Sequence, residues 1–243
     1  MDTTLNVGLS RQMVLHRALE VAANNIANAD TAGFKVEQLI MEEDPLTPPA
    51  PGSAPVSYVY DQGVARDFGQ GVIDATGNPF DMAIEGDGFF TIQRGATQYY
   101  TRDGRFSTNS QNQLVNKQGD PVLDTGGSPI VFDPNGPSPD VSRDGTVSQG
   151  TNVIGRIGVA RFATLAALKK EGDNLYSAPV GVAPIQAPDA VVRQQFLEKS
   201  NVQPVLEITH LIEVTRAYEQ VAKMMDQTQT LASTAIQRLG QVS

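Results

Sequence analysis

Few residues in this sequence could do chemistry, and their spacing does not gather them. The only histidines are His16 and His210, and cysteine is absent. That excludes disulfides and thiolate zinc sites, and it leaves too few imidazoles for a His-rich metal centre. The phosphate-cradling GxxxxGK[ST], the GxSxG elbow, HExxH and GxGxxG are all missing. The loop Asp133-Pro-Asn-Gly-Pro-Ser-Pro-Asp140 departs from the calcium-binding loop pattern. Asp, Asn, Gly and Pro at that density form turns. The carboxylates are scattered, and two that converge in a fold could still serve glycoside hydrolysis. A secreted β-domain enzyme acting on cell-wall glycans is therefore one alternative, and a binding module on a helical stalk is another. The expectation is a structural chain with no catalytic residue, cofactor or metal.

Composition narrows the partners. The formal net charge of −9 and pI of about 4.7 set the chain against phosphate backbones, so no nucleic-acid partner is expected. No run of about 18 apolar residues exists, so no membrane span is expected. The opening MDTTLNVGLSRQMVLHRALE lacks the basic start and unbroken apolar core of a secretory signal.

The elements that would position any site fall into three textures. Residues 4–29 carry Leu5, Leu15, Leu19, Ala22 and Ile26 on one stripe at three- and four-residue steps, with Gly8 and Gln12 as weak members. This predicts a helix, with Gly33 suited to a left-handed stop. Residues 44–55 (DPLTPPAPGSAP) hold five prolines and read as an extended tether or loop. From about 56 to 195, short apolar runs alternate with Gly, Asp, Asn and Pro, a β texture. Asp103-Gly104 and Asp144-Gly145 predict two-residue hairpin turns. From Val205 onward a heptad stripe runs through Leu211, Val214, Tyr218, Val221, Met225, Thr228, Ala232, Ala235 and Leu239. The predicted class is α+β: N- and C-terminal helices paired as a coiled coil around a central, mostly antiparallel β domain. The expected divisions are a helix over 1–32, an extended connector over 33–70, a β domain over 71–197 and a heptad helix over 198–243.

A helix of some 35 residues with a sustained seam needs a partner. Each buried Leu, Val or Met contributes about 1.5–3 kcal/mol, whereas an isolated helix is marginal. The N-terminal helix is the natural internal partner. From Gln227 to Ser243 the only charged side chain is Arg238, and so bland a face suits packing against more protein. His16, among apolar helix positions, reads as a packed or interfacial residue, as does His210.

Three segments carry a resemblance. Asn24 to Lys35, NNIANADTAGFK, resembles the N-terminal signature of the bacterial flagellar rod and hook proteins. DMAIEGDGFF, followed by YTRDGRFSTNSQNQLVNKQGDPVL, is similar to their central β segment. SNVQPVLEITHLIEVTRAYEQVAKMM is similar to their C-terminal signature. Within the family, the opening Met-Asp, the short length and Pro204 after SNVQ favour the proximal over the distal rod.

The resemblance implies export through the flagellar type III apparatus without signal cleavage, and then assembly in the periplasm into the basal-body rod, a helical tube that transmits torque. The implied partners are other rod proteins and copies of the same chain. The terminal helices would line the tube, with the β domain facing outward. It further implies that Asn24, Asn25 and Asn28 bond backbone across a loop, that Gly33 turns the chain and that Phe34 anchors the connector. The expected assembly interface therefore comprises those five residues with Leu5, Leu15, Leu19, Ala22, Ile26, Leu211, Val214, Tyr218, Val221, Met225, Ala232, Ala235 and Leu239.

Overall fold

Asp2–Ala27 form helix α1 and Pro204–Gly240 form helix α2. At 1.5 Å per residue, α2 is about 55 Å long. Pro204 stands at its first position, where the missing N–H costs nothing and the fixed φ suits the helix. The computed structural model describes residues 2–46 and 56–240. The chain divides into two units, which it passes between four times: after Ala27, before Glu37, after Asp67 and after Val202.

The first unit holds α1, α2 and a hairpin made from much of the expected connector. Strand β1 (Glu37–Leu46) pairs antiparallel with strand β2 (Val56–Arg66), from Glu37 opposite Arg66 to Leu46 opposite Val56. The segment is extended, as its composition suggests, but it is paired rather than free. The register shifts between Ile40 and Met41, facing Gly63 and Asp61, where Gly63 has φ of +118°. Helix α1 packs against α2 and against both strands. The tip of the proline-rich stretch, 47–55, lies outside the described residues.

The second unit, residues 28–36 and 68–202, is the β domain. Its largest sheet has six strands in the spatial order 169–170, 175–177, 97–101, 89–94, 159–161 and 185–186. Every pairing recorded in it is antiparallel. Side chains alternate across the pleat, so Phe90 and Ile92 enter one core with Met82, Leu114 and Val147. Phe89, next to Phe90 and on the opposite face, enters a second core with Tyr100, Phe162 and Tyr176. The class is thus α+β, with terminal helices in contact and a mostly antiparallel β domain.

The two Asp-Gly signals resolve differently. Ser142 to Thr146 do form a hairpin: the Gly145 amide donates to the Ser142 carbonyl at 2.8 Å, and Gly145 has φ of +84°. The loop is three residues, a tight turn followed by a left-handed glycine, rather than the two-residue turn expected. Gly104 makes no left-handed turn. It is glycine because a Cβ there would lie 1.6 Å from the Met82 carbonyl oxygen. The same Asp-Gly pair thus serves two different backbones.

Candidate assembly interface

The helix pairing in the first unit is antiparallel. Asn25, near the end of α1, donates to Glu207 Oε2 of α2 at 3.1 Å. Gly8, near its start, faces Met225, whose Cγ would be 2.9 Å from a Cβ at that glycine. Between these points Val14, Ala18, Val21 and Ala22 are buried on α1, and Val214 and Val221 on α2. Leu211, Tyr218, Met225 and Thr228 are half-buried along the same α2 seam. From Leu211 to Thr228 the α2 stripe is therefore buried or half-buried. The side chains of Ala232, Ala235 and Leu239 lie outside the described residues.

On α1 the buried line is offset from the expected stripe. Leu5, Leu15, Leu19 and Ile26 are half-buried, Ala22 is buried, and the most buried line runs Val14, Ala18, Val21, Asn25. The arc is wide because α1 serves two neighbours, α2 on one side and the hairpin on another. His16 is exposed beside Glu20, 3.4 Å away, and His210 is exposed on α2. Neither is packed within the chain, which leaves the interfacial half of the expectation.

The asparagines of the signature separate into distinct roles. Asn24 is exposed and Asn25 is buried. Asn25 Nδ2 donates to the Glu37 carbonyl at 2.7 Å, and its Oδ1 accepts the Glu37 amide at 2.9 Å. That two-point clamp ties the end of α1 to the start of β1. Glu37 in turn receives Arg66 Nε at 2.8 Å from the end of β2. Asn28, half-buried, accepts the Thr31 hydroxyl at 3.2 Å and caps the turn that follows.

The rest of the signature is built into the β domain. Gly33 has φ of +68°, and its amide donates to the Glu198 carbonyl at 2.8 Å. A Cβ there would meet the Arg102 carbonyl carbon at 2.3 Å, so only glycine fits. Phe34 is buried, with the Lys170 ammonium 4.4 Å from its ring centroid. The next residue, Lys35, is also buried. Its Nζ donates to Glu198 Oε1 at 2.5 Å and to the Gly69 carbonyl at 2.7 Å. Glu198 Oε2 accepts Arg102 Nη1 at 3.0 Å, and Glu198 Oε1 accepts the Gly71 amide at 3.0 Å. Burial pulls the Arg102 guanidinium below its ordinary value, against the opposing pull of Glu198.

Lys35, Arg102 and Glu198 were not foreseen as a set. The one local signal is that Lys35 ends the NNIANADTAGFK signature. Nothing local marks Glu198 or Arg102 as its partners. Asn201 completes the arrangement: its Oδ1 accepts the Val36 amide at 2.8 Å, and its Nδ2 donates to the Gly69 carbonyl at 3.1 Å. Segments from three distant parts of the sequence are thereby tied within one unit.

Comparison with known proteins accounts for this distribution of motifs. Residues 5–35 match the family described as flagella basal body rod protein. Residues 83–149 match the flagellar hook protein FlgE/F/G D1 domain, and residues 193–238 match the flagellar basal body rod FlgEFG protein C-terminal family. The chain is 51% identical to the flagellar basal-body rod protein FlgF of Caulobacter vibrioides over the whole of both chains. It is 38% identical to FlgF of Mesorhizobium japonicum, again over the whole of both. The FlgG protein of Caulobacter vibrioides is 32% identical, over 85% of this chain and 88% of that one. With such identity along its full length, the chain belongs to the family of flagellar basal-body rod proteins, structural subunits of the bacterial flagellum.

Proposed function

We propose that this chain builds the proximal part of the rod, joining copies of itself and other rod proteins through α1, α2 and the hairpin. The full-length identity to two FlgF proteins carries this reading, and the lower identity to FlgG favours the proximal over the distal position. The paired helices support a coiled-coil contact, since the α2 seam Glu207, Leu211, Val214, Tyr218, Val221, Met225, Thr228 keeps alternating four- and three-residue steps. Of the predicted apolar positions on the two helices, Ala22, Val214 and Val221 are buried within the chain. They act by holding the helix pair together, and more exposed positions meet neighbours. Leu206, Ile208, Ile212, Met224 and Leu231 on α2, and Leu9 and Met13 on α1, are large apolar side chains left exposed. Export proceeds through the flagellar type III apparatus without a cleaved signal, and the assembled tube transmits torque.

Truncation tests the reading. A chain lacking residues 227–243 should fold its β domain yet fail to complete the rod, so cells carrying it should not swim. Leu211→Asp should act similarly by placing a charge in the seam. Normal swimming and intact rods with the truncated chain would overturn the proposal.

A further inference from the structure

The first unit has a groove of about 600 Å³ beside the helix pair. Its apolar walls are Met13 and Val14 of α1, Val59 and Tyr60 of β2, and Tyr218 of α2. Arg17 lies at its edge, held to Glu20 at 2.8 Å and to Asp61 at 3.7 Å, so the one cation there is already paired and the two carboxylates leave the edge slightly acidic. Met13 and Tyr60 are 66% and 50% exposed. The groove is an open slot with apolar walls from α1, β2 and α2 and a charged edge at Arg17, Glu20 and Asp61.

A complementary feature lies elsewhere in the same unit. Val205, Ile208 and Ile212, in the first turns of α2, are 77%, 47% and 47% exposed. They recur at i, i+3 and i+7, the spacing by which one helix face enters an apolar groove. At about 100° per residue they lie roughly 110° round α2 from Tyr218, and Ile208 is about 15 Å from it along the axis. A straight helix cannot present that stripe to a groove it helps to wall, so the stripe cannot fill the groove of its own chain.

We infer that the groove receives the Val205–Ile208–Ile212 stripe of a second copy of this chain. This rests on the reading of the chain as a rod subunit and names the surfaces by which copies meet. Groove and stripe are different patches, so the contact is heterologous. Such contacts close into a ring or run on as a helical stack, according to the rotation between copies. The apolar walls Met13, Val14, Val59, Tyr60 and Tyr218 suit this occupant, because the stripe itself is wholly apolar and exposed.

The absence of native cysteine makes the contact directly testable. The full chain carrying both Met13→Cys and Ile208→Cys replaces the original in cells, and assembled rods are oxidised. A ladder of doubled and higher masses is expected, while either single variant stays at the mass of one chain. Double-variant rods that assemble yet stay at that mass would overturn the inference and leave the rod assignment standing. So would a Met13→Cys chain that dimerises with itself, or a cross-link only to a protein of different mass. If the double variant builds no rods, the two purified single variants are mixed at high concentration and oxidised. A dimer found only in the mixture supports the contact, and its absence overturns it.

Discussion

Lys35 Nζ lies 2.5 Å from Glu198 Oε1, and both side chains are fully buried although 163 residues separate them in sequence. Arg102 shares the same carboxylate. One anion therefore holds two cations out of water, and the two changes that break the set differ in cost. Glu198→Gln strands both Lys35 and Arg102, and removal of a buried partner costs about 3–5 kcal/mol. Lys35→Met leaves Glu198 paired with Arg102 and should cost clearly less. Denaturant unfolding of the two variants should rank them in that order. Equal losses would mean that the pair does not work through charge.

Two glycines offer a contrast. At Gly104 a new Cβ would meet the Met82 carbonyl oxygen at 1.6 Å, and backbone cannot yield to it. At Gly145 the nearest atom would be a Val192 methyl at 3.5 Å, an ordinary contact, so only the φ of +84° is strained. Gly145→Ala should cost about 1–2 kcal/mol, the penalty of a left-handed backbone for an L-residue. Gly104→Ala should cost several-fold more, read as a loss of melting temperature or of soluble protein.

The paired asparagines divide in the same way. Asn25→Ala removes a two-point clamp on the Glu37 backbone, and each buried polar group left without a partner costs about 1–3 kcal/mol. Asn24 is exposed, and Asn24→Ala should cost less than Asn25→Ala. Hydrogen exchange at the Glu37 amide should rise in the first variant and not in the second.

Asp144 gives a pH prediction. Its carboxyl is held below the usual carboxylate value first by the Thr146 hydroxyl and then by the Thr146 amide. The unfolded value of 3.8 is the higher of the two. Its contribution is therefore present above pH 3.8 and lost as pH falls through the lower folded value. Asp144→Asn should differ from the original chain by a small, constant amount near neutrality, and the difference should vanish in acid. A difference that grows in acid would reverse the sign of this argument.

Much of the architecture was readable from local pattern. The α2 seam from Leu211 to Thr228 was legible because a 3.6-residue period is a property of the helix itself. The β texture followed from short apolar runs between turn formers. The three family signatures located both ends and the middle of the chain. The α1 seam was less legible. Reading by hydrophobic size favoured leucines, whereas close approach of two helices and a hairpin selected Val14, Ala18 and Val21, with Gly8, a weak member of the expected stripe, facing Met225. The connector was readable as extended, but not as a hairpin, since proline content says nothing about pairing across 47–55.

The sequence alone thus determined the class of the protein, the long helix and its seam, and the membership that the signatures imply. Tertiary structure decided which polar residues matter. Nothing in the local sequence marks Lys35, Arg102 and Glu198 as buried partners, and Asn25 is indistinguishable in type from Asn24. Their roles depend on which segments meet, and such meetings involve residues 96 to 182 apart. Periodicity encodes contacts within one element. It carries no record of which distant carboxylate will neutralise a buried cation, because that pairing exists only once the fold has excluded water.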